Sequence, residues 1–156
     1  MKTNTNIKII PYTEALKTHI KTLNYEWLNK YFRIEPKDEI VLSNPTETII
    51  NTGGYIFYAA KDEEIVGTFS LLYICQHEYE LSKMAVKEGT QGLGIGQLMM
   101  TFAVDFAKQQ NFKSLILYSN RSLKPAIHLY EKFGFEEIPL ESGVYERADI
   151  KMMKII

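Results

Sequence analysis

Four glycines, Gly89, Gly92, Gly94 and Gly96, fall within eight residues and lead directly into Leu98, Met99, Phe102, Ala103 and Phe106. The apolar spacing after them is helical, and residues 79–86 before them read as a strand. A loop that ends a strand and opens a helix presents free backbone N–H groups and the positive end of the helix dipole, so it can hold an anion. Glycine permits positive φ and close approach of phosphate to the backbone. Two nucleotide loops are excluded by spacing. A phosphate-binding P-loop requires Gly-Lys followed by Ser or Thr, which occurs nowhere. A dinucleotide fingerprint started at Gly92 or Gly94 requires glycine where Gln97 or Met99 stands. A tight strand-to-helix turn without a ligand remains the alternative.

The rest of the chain sets this loop in one domain, 1–156, without linker or repeat. A strand over 7–10, broken at Pro11, precedes a helix that Thr13 can cap, with Leu16, Ile20, Leu23 and Trp27 on one face. Pro36, Pro45 and Gly53-Gly54 allow only short helices, over 37–43 and 45–52. Strands over 55–60 and 64–75 form a hairpin, and 79–86 joins them. After the glycine loop and its helix come a strand over 113–119, a helix through Leu123, Ala126, Ile127, Tyr130 and Phe133 that stops at Gly134, and strands over 135–138 and 148–155. This order describes an α+β or α/β sheet covered by helices.

Composition narrows the function classes. The 18 basic and 19 acidic residues leave a net charge of −1, and a pI near 6.3 offers no basic surface for nucleic acid. No apolar run approaches the roughly 18 residues of a membrane span. The N-terminal residues lack a signal-peptide core, and with one cysteine this points to the cytoplasm. Cys75, at the end of an apolar strand, reads as a buried thiol. His19, His77 and His128 have no metal-ligand spacing, so no metal is expected.

Gln91-x-x-Gly94-x-Gly96 resembles the pyrophosphate loop of the GNAT superfamily of N-acetyltransferases, and residues 120–135, ending Tyr130-Glu131-Lys132-Phe133-Gly134-Phe135, resemble that superfamily's later helix. The resemblance implies a mixed, mostly antiparallel sheet of about six or seven strands flanked by helices, with strands four and five splayed apart. It also implies acetyl transfer from acetyl-coenzyme A to an amine by direct attack in a ternary complex. By the same resemblance Gln91, Gly92, Leu93, Gly94, Ile95, Gly96 and Gln97 would take the pyrophosphate. Met84, Ala85 and Val86 would pair with the pantetheine arm as an added strand, with an N–H near Met84 or Ala85 polarising the thioester carbonyl, and Asn120 would bond the pantetheine amides. A non-catalytic acyl-coenzyme A sensor on the same fold is the alternative.

An alkylammonium with a pKa of about 10.4 must lose a proton before it attacks. Glu80 is the candidate base by its place in the superfamily's strand, its other reading being a solvated glutamate near Lys83; His77 is the second candidate. The departing thiolate needs a proton, and Tyr130 stands at the superfamily's position for that acid, while its ring also belongs to an apolar helix face. Trp27, Tyr31 and Phe32 fall where an acceptor wall is implied, and Tyr145 and Arg147 precede the last strand in a region that lines the acceptor pocket. Arg147, with Lys83 and Arg33, could recognise a carboxylate on an amino-acid-like or peptide acceptor. The final strand leaves a homodimer open.

Overall fold

The structure is a computed structural model that describes residues 6–90 and 92–156. Seven strands form one sheet in the order β1-β2-β3-β4-β5-β7-β6. Strands β1 (Ile7–Pro11), β2 (Tyr55–Lys61), β3 (Glu64–Cys75) and β4 (Glu78–Val86) run antiparallel in sequence. β4 then lies parallel to β5 (Ser114–Ser119), and β7 (Ile150–Ile155) pairs antiparallel with β5 and with β6 (Glu136–Ile138). The mixed sheet matches the expectation from the sequence.

Alternation along β2 explains why the sheet carries helices on both faces. Phe57 and Ala59 point into a core shared with α3 (Ile95–Gln109), around Phe69, Met99, Met100 and Ala103. Ile56 and Tyr58 point the other way, into a core with Ile20 and Leu28 of α1 (Lys17–Tyr31) and Leu42 of α2 (Pro36–Ser43). Gly67 lets α3 lie close to the sheet: a Cβ there would meet Ile95 Cγ2 at 3.0 Å and Met99 Sδ at 3.2 Å. The remaining helix, α4 (Lys124–Lys132), turns its Tyr130 ring edge-on to Phe135 at 6.2 Å.

Three local expectations differ. Thr13 makes no side-chain cap and heads a short 3-10 turn, Glu14–Leu16, with α1 starting after it. Residues 45–52 form a single π-helical turn, Thr46–Ile50. Cys75 is exposed. The β3–β4 hairpin runs past the helices, leaving Tyr73 and Ile74 47% and 44% exposed beside it.

Two irregularities shape the centre of the sheet. β4 and β5 pair only at Glu78↔Ser114, Tyr79↔Leu115 and Glu80↔Ile116, and beyond Glu80 they part. On its other edge β4 continues along β3, but the register jumps from Ser70↔Ser82 to Thr68↔Ala85, so β4 holds one residue more than β3 over this span. Lys83 lies in that bulge with φ +55°.

Candidate active site

The parting of β4 and β5 opens a cavity of about 320 Å³. Its wall runs from Trp27, Tyr31 and Phe32 at the end of α1, along β4 from Glu80 to Val86, to Gly96 at the start of α3. The opposite wall is Asn120, Tyr130 of α4, and Tyr145 and Arg147 of the loop before β7. The fold thus brings together most of the residues the sequence singled out.

At one end of the cavity the glycine loop meets α3. Gly94 occupies the cap position with φ +74°, and Gly92 has φ +85°. A Cβ on either would meet nothing within 4 Å, so backbone conformation rather than packing calls for glycine. Leu98 N–H bonds back to Gly94 O at 3.0 Å, and the N–H groups of Ile95, Gly96 and Gln97 lie in the helix's first turn, where no intrahelical acceptor precedes them. Gln91 lies outside the described residues. The Gln97 side chain faces away from such a role, its Oε1 accepting from Lys132 Nζ at 2.8 Å.

Asn120 is held by the protein itself. Its Nδ2 donates to Arg147 O at 2.7 Å, and its Oδ1 accepts from Ser122 N–H at 2.9 Å and pairs with the Ser122 hydroxyl at 2.6 Å. It ties the end of β5 to the Arg147 loop.

The other end of the cavity is built around buried charge. Asp38, fully buried, accepts from Lys83 Nζ at 3.2 Å and from both terminal nitrogens of Arg147 at 2.8 and 2.9 Å. Arg147 also bonds Glu35 at 2.9 Å. Glu35 and Asp38 close the first turn of α2 reciprocally, with Glu35 N–H on Asp38 Oδ2 at 2.9 Å. Burial opposes ionisation of Asp38, but the bonds from Arg147 and the Glu35 amide and the charge of Lys83 outweigh it and hold the carboxyl below its ordinary range. Burial lowers the pKa of Lys83, with Asp38 opposing. Asn24 of α1 reaches the bulge, its Nδ2 donating to Lys83 O at 3.1 Å.

Glu80 stands beside this quartet. Burial raises its pKa, while the charge of Lys83 and bonds from Ser82 and Tyr145 pull against the rise. Tyr145 O–H donates to Glu80 Oε2 at 3.3 Å. The Tyr145 ring has Lys83 Nζ at 5.2 Å and the Arg147 guanidinium at 5.1 Å. Tyr130, across the cavity, has its pKa pushed up to about 12 by burial. His77 sits away from all this, in the hairpin turn with φ +66° and its carbonyl accepting from Lys113 N–H at 2.7 Å. Arg33 is exposed and paired with Glu146.

Asp38, Glu35 and Asn24 were not singled out from the sequence. Glu35-Pro36-Lys37-Asp38 reads as an ordinary acidic helix start, and only the packing of α2 against β4 and the Arg147 loop buries it.

Among the described residues no cluster of three or more His, Cys, Asp or Glu side chains could hold a metal, and no helix is long and apolar enough to cross a membrane.

Comparison with known proteins agrees with this arrangement. Residues 21–135 match the model of the acetyltransferase (GNAT) family. Streptothricin acetyltransferase of Streptomyces lavendulae is 30% identical over 86 residues, covering 54% of this chain and 46% of that protein. An uncharacterised N-acetyltransferase of Escherichia coli, YjgM, is 29% identical over 103 residues, covering 64% and 62%. The chain spans about half the length of the curated relatives it matches. In structure it resembles a GNAT-family acetyltransferase of Staphylococcus aureus, with TM-score 0.84, 24% identity and coverage of 96% and 98% of the two chains. It also resembles the PaiA N-acetyltransferase of Thermoplasma acidophilum in complex with coenzyme A, with TM-score 0.75, 19% identity and coverage of 97% and 99%. With a family match that takes in most of its length and a sheet that parts between β4 and β5 beside a glycine-capped helix, the chain belongs to the GNAT family of acetyltransferases.

Proposed function

We propose that the protein transfers an acetyl group from acetyl-coenzyme A to a primary amine by direct attack in a ternary complex. The observation that carries this reading is the opening between β4 and β5, with the glycine-capped end of α3 at one side and half-buried Glu80 at the other. The glycine loop and first turn of α3 would hold the pyrophosphate, and the β4 backbone from Met84 to Val86 would pair with the pantetheine arm. Glu80 takes the proton of the acceptor ammonium, directly or through water. The freed nitrogen attacks the thioester carbon, the carbon–sulfur bond breaks, and Tyr130 gives its phenolic proton to the leaving thiolate. Burial suits Glu80 to this work, since a raised pKa makes it a stronger base.

Thiol release from acetyl-coenzyme A, measured against a panel of amines beside calorimetric binding of coenzyme A, tests the reading. Acceptor-dependent release supports it, binding without release favours the sensor alternative, and folded protein that binds no coenzyme overturns both.

Two substitutions probe the ends of the site. Glu80→Gln should lower kcat/KM near neutral pH by about tenfold or more, the deficit shrinking as pH rises toward the ammonium pKa of about 10.4 and the free amine supplies itself. The same change should stabilise the fold at neutral pH. A carboxyl with a raised folded-state pKa favours the protonated native state, so its contribution is fully present below the unfolded-state value and is lost as pH rises through the folded-state value, and Gln removes that loss. A higher Tm than the parent's at neutral pH, with the difference closing toward acid pH, is the expected reading. Gly94→Ala puts a Cβ on a left-handed residue, costing about 1–2 kcal/mol in conformation without a clash. Relaxation of the loop should weaken coenzyme binding by about tenfold in calorimetry.

A further inference from the structure

Resting on the acetyl-transfer reading, we infer that the acceptor is a free amine with an apolar, aromatic arm and no carboxylate beside its nitrogen. The sequence left Arg147, with Lys83 and Arg33, available to recognise a carboxylate. The structure removes all three from that task. Both terminal nitrogens of Arg147 are bonded to Asp38, one of them also to Glu35, and Lys83 is spent on Asp38 in a site where its side chain is 4% exposed. Arg33 lies outside the cavity, paired with Glu146.

Buried Lys83, half-buried Arg147 and the carboxylates of Asp38 and Glu35 therefore neutralise one another. Glu80 is a third carboxylate, whose side-chain partners, the hydroxyls of Tyr145 and Ser82, are neutral, and it leaves this end of the cavity with one negative charge. An approaching ammonium cancels that charge. A carboxylate on the same carbon restores it in a poorly solvated site, and freeing Arg147 to meet it would leave Asp38 buried with Lys83 alone. Elsewhere on the lining the exposed Lys30 is paired with Glu88 at 2.6 Å; Lys37, outside the lining, is exposed over the Tyr145 ring at 4.7 Å, where solvent screens it.

The arm of the acceptor meets rings. Trp27 packs against Tyr31 at 5.7 Å and Phe32 at 5.5 Å on one wall, and Tyr145 against Tyr118 at 5.8 Å on the other. Aromatic walls with one carboxylate between them fit an arylalkylamine better than a straight polar amine.

Matched pairs decide the matter: tyramine against tyrosine, and tryptamine against tryptophan, with cadaverine beside them as a straight amine. Each is titrated by calorimetry into the protein saturated with coenzyme A, and each is assayed for thiol release with acetyl-coenzyme A. Each decarboxylated amine should exceed its amino acid by at least about tenfold in affinity and in kcat/KM, and tyramine should exceed cadaverine. Glu80→Gln should narrow the first pair's gap in affinity. Equal or better binding of the amino acids, or no binding of any of the five by protein that does bind coenzyme A, overturns the inference. Loss of coenzyme binding itself would strike the acetyl-transfer reading instead.

Discussion

Asp38→Asn is expected to destabilise the fold by about 3–5 kcal/mol, the loss that follows when one member of a buried ion network is removed and its partners keep their charges. Lys83 and Arg147 both rely on this carboxylate, which is fully buried between α2, the β4 bulge and the loop before β7. A Tm drop on the order of 10 °C or more should accompany the change. The pH dependence has a definite direction. Asp38 has its folded-state pKa lowered from 3.8, so its contribution is present above that value and is lost as pH falls through the lower, folded-state value. The variant should therefore lose less stability on acidification than the parent, and urea unfolding at pH 7 and pH 3 measures the difference. Pairing Asp38→Asn with Lys83→Met should recover part of the loss, because the stranded ammonium is gone. A single variant as stable as the parent would show that solvent, not Asp38, satisfies Lys83.

Tyr130→Phe is expected to lower kcat by about 100-fold or more while leaving the KM for acetyl-coenzyme A near its parent value. The ring packs edge-on to Phe135, an arrangement phenylalanine preserves, so Tm should hardly move. A pKa near 12 keeps the phenol protonated throughout the working range. In the proposed transfer the thiolate would form beside this ring, where desolvation would raise its demand for a proton above the ordinary thiol value of about 8.5. Unchanged kcat at saturating substrates would remove Tyr130 from the proton path and leave it as a packing residue.

The strand and helix order was legible because long periodic segments such as 64–75 and 98–106 state their type locally. The glycine loop was legible because positive φ at Gly92 and Gly94 leaves few alternatives to glycine. The acceptor end was not. Arg147 reads as free to meet an acceptor carboxylate and Asp38 reads as an ordinary helix-start acid, since nothing within either segment records that α2 folds onto the loop before β7, over 100 residues later in the chain. Cys75 shows the same limit from the other side. An apolar strand end signals burial only where a helix covers it, and the hairpin outruns its cover.

The extra residue in β4 changes the phase of the strand. Tyr79 and Leu81 pack on the α3 side, and in an unbroken pleat the odd-numbered residues would continue to do so; instead Met84 and Val86 join that core. Residues three apart face opposite sides of a regular strand, yet Glu80 and Lys83 both reach the Tyr145 ring. The strand is thus two half-strands of opposite parity, one setting the half-buried carboxylate and the other the lysine beside it. Deleting one residue at the junction would leave every remaining side chain chemically intact and turn the second half-strand over.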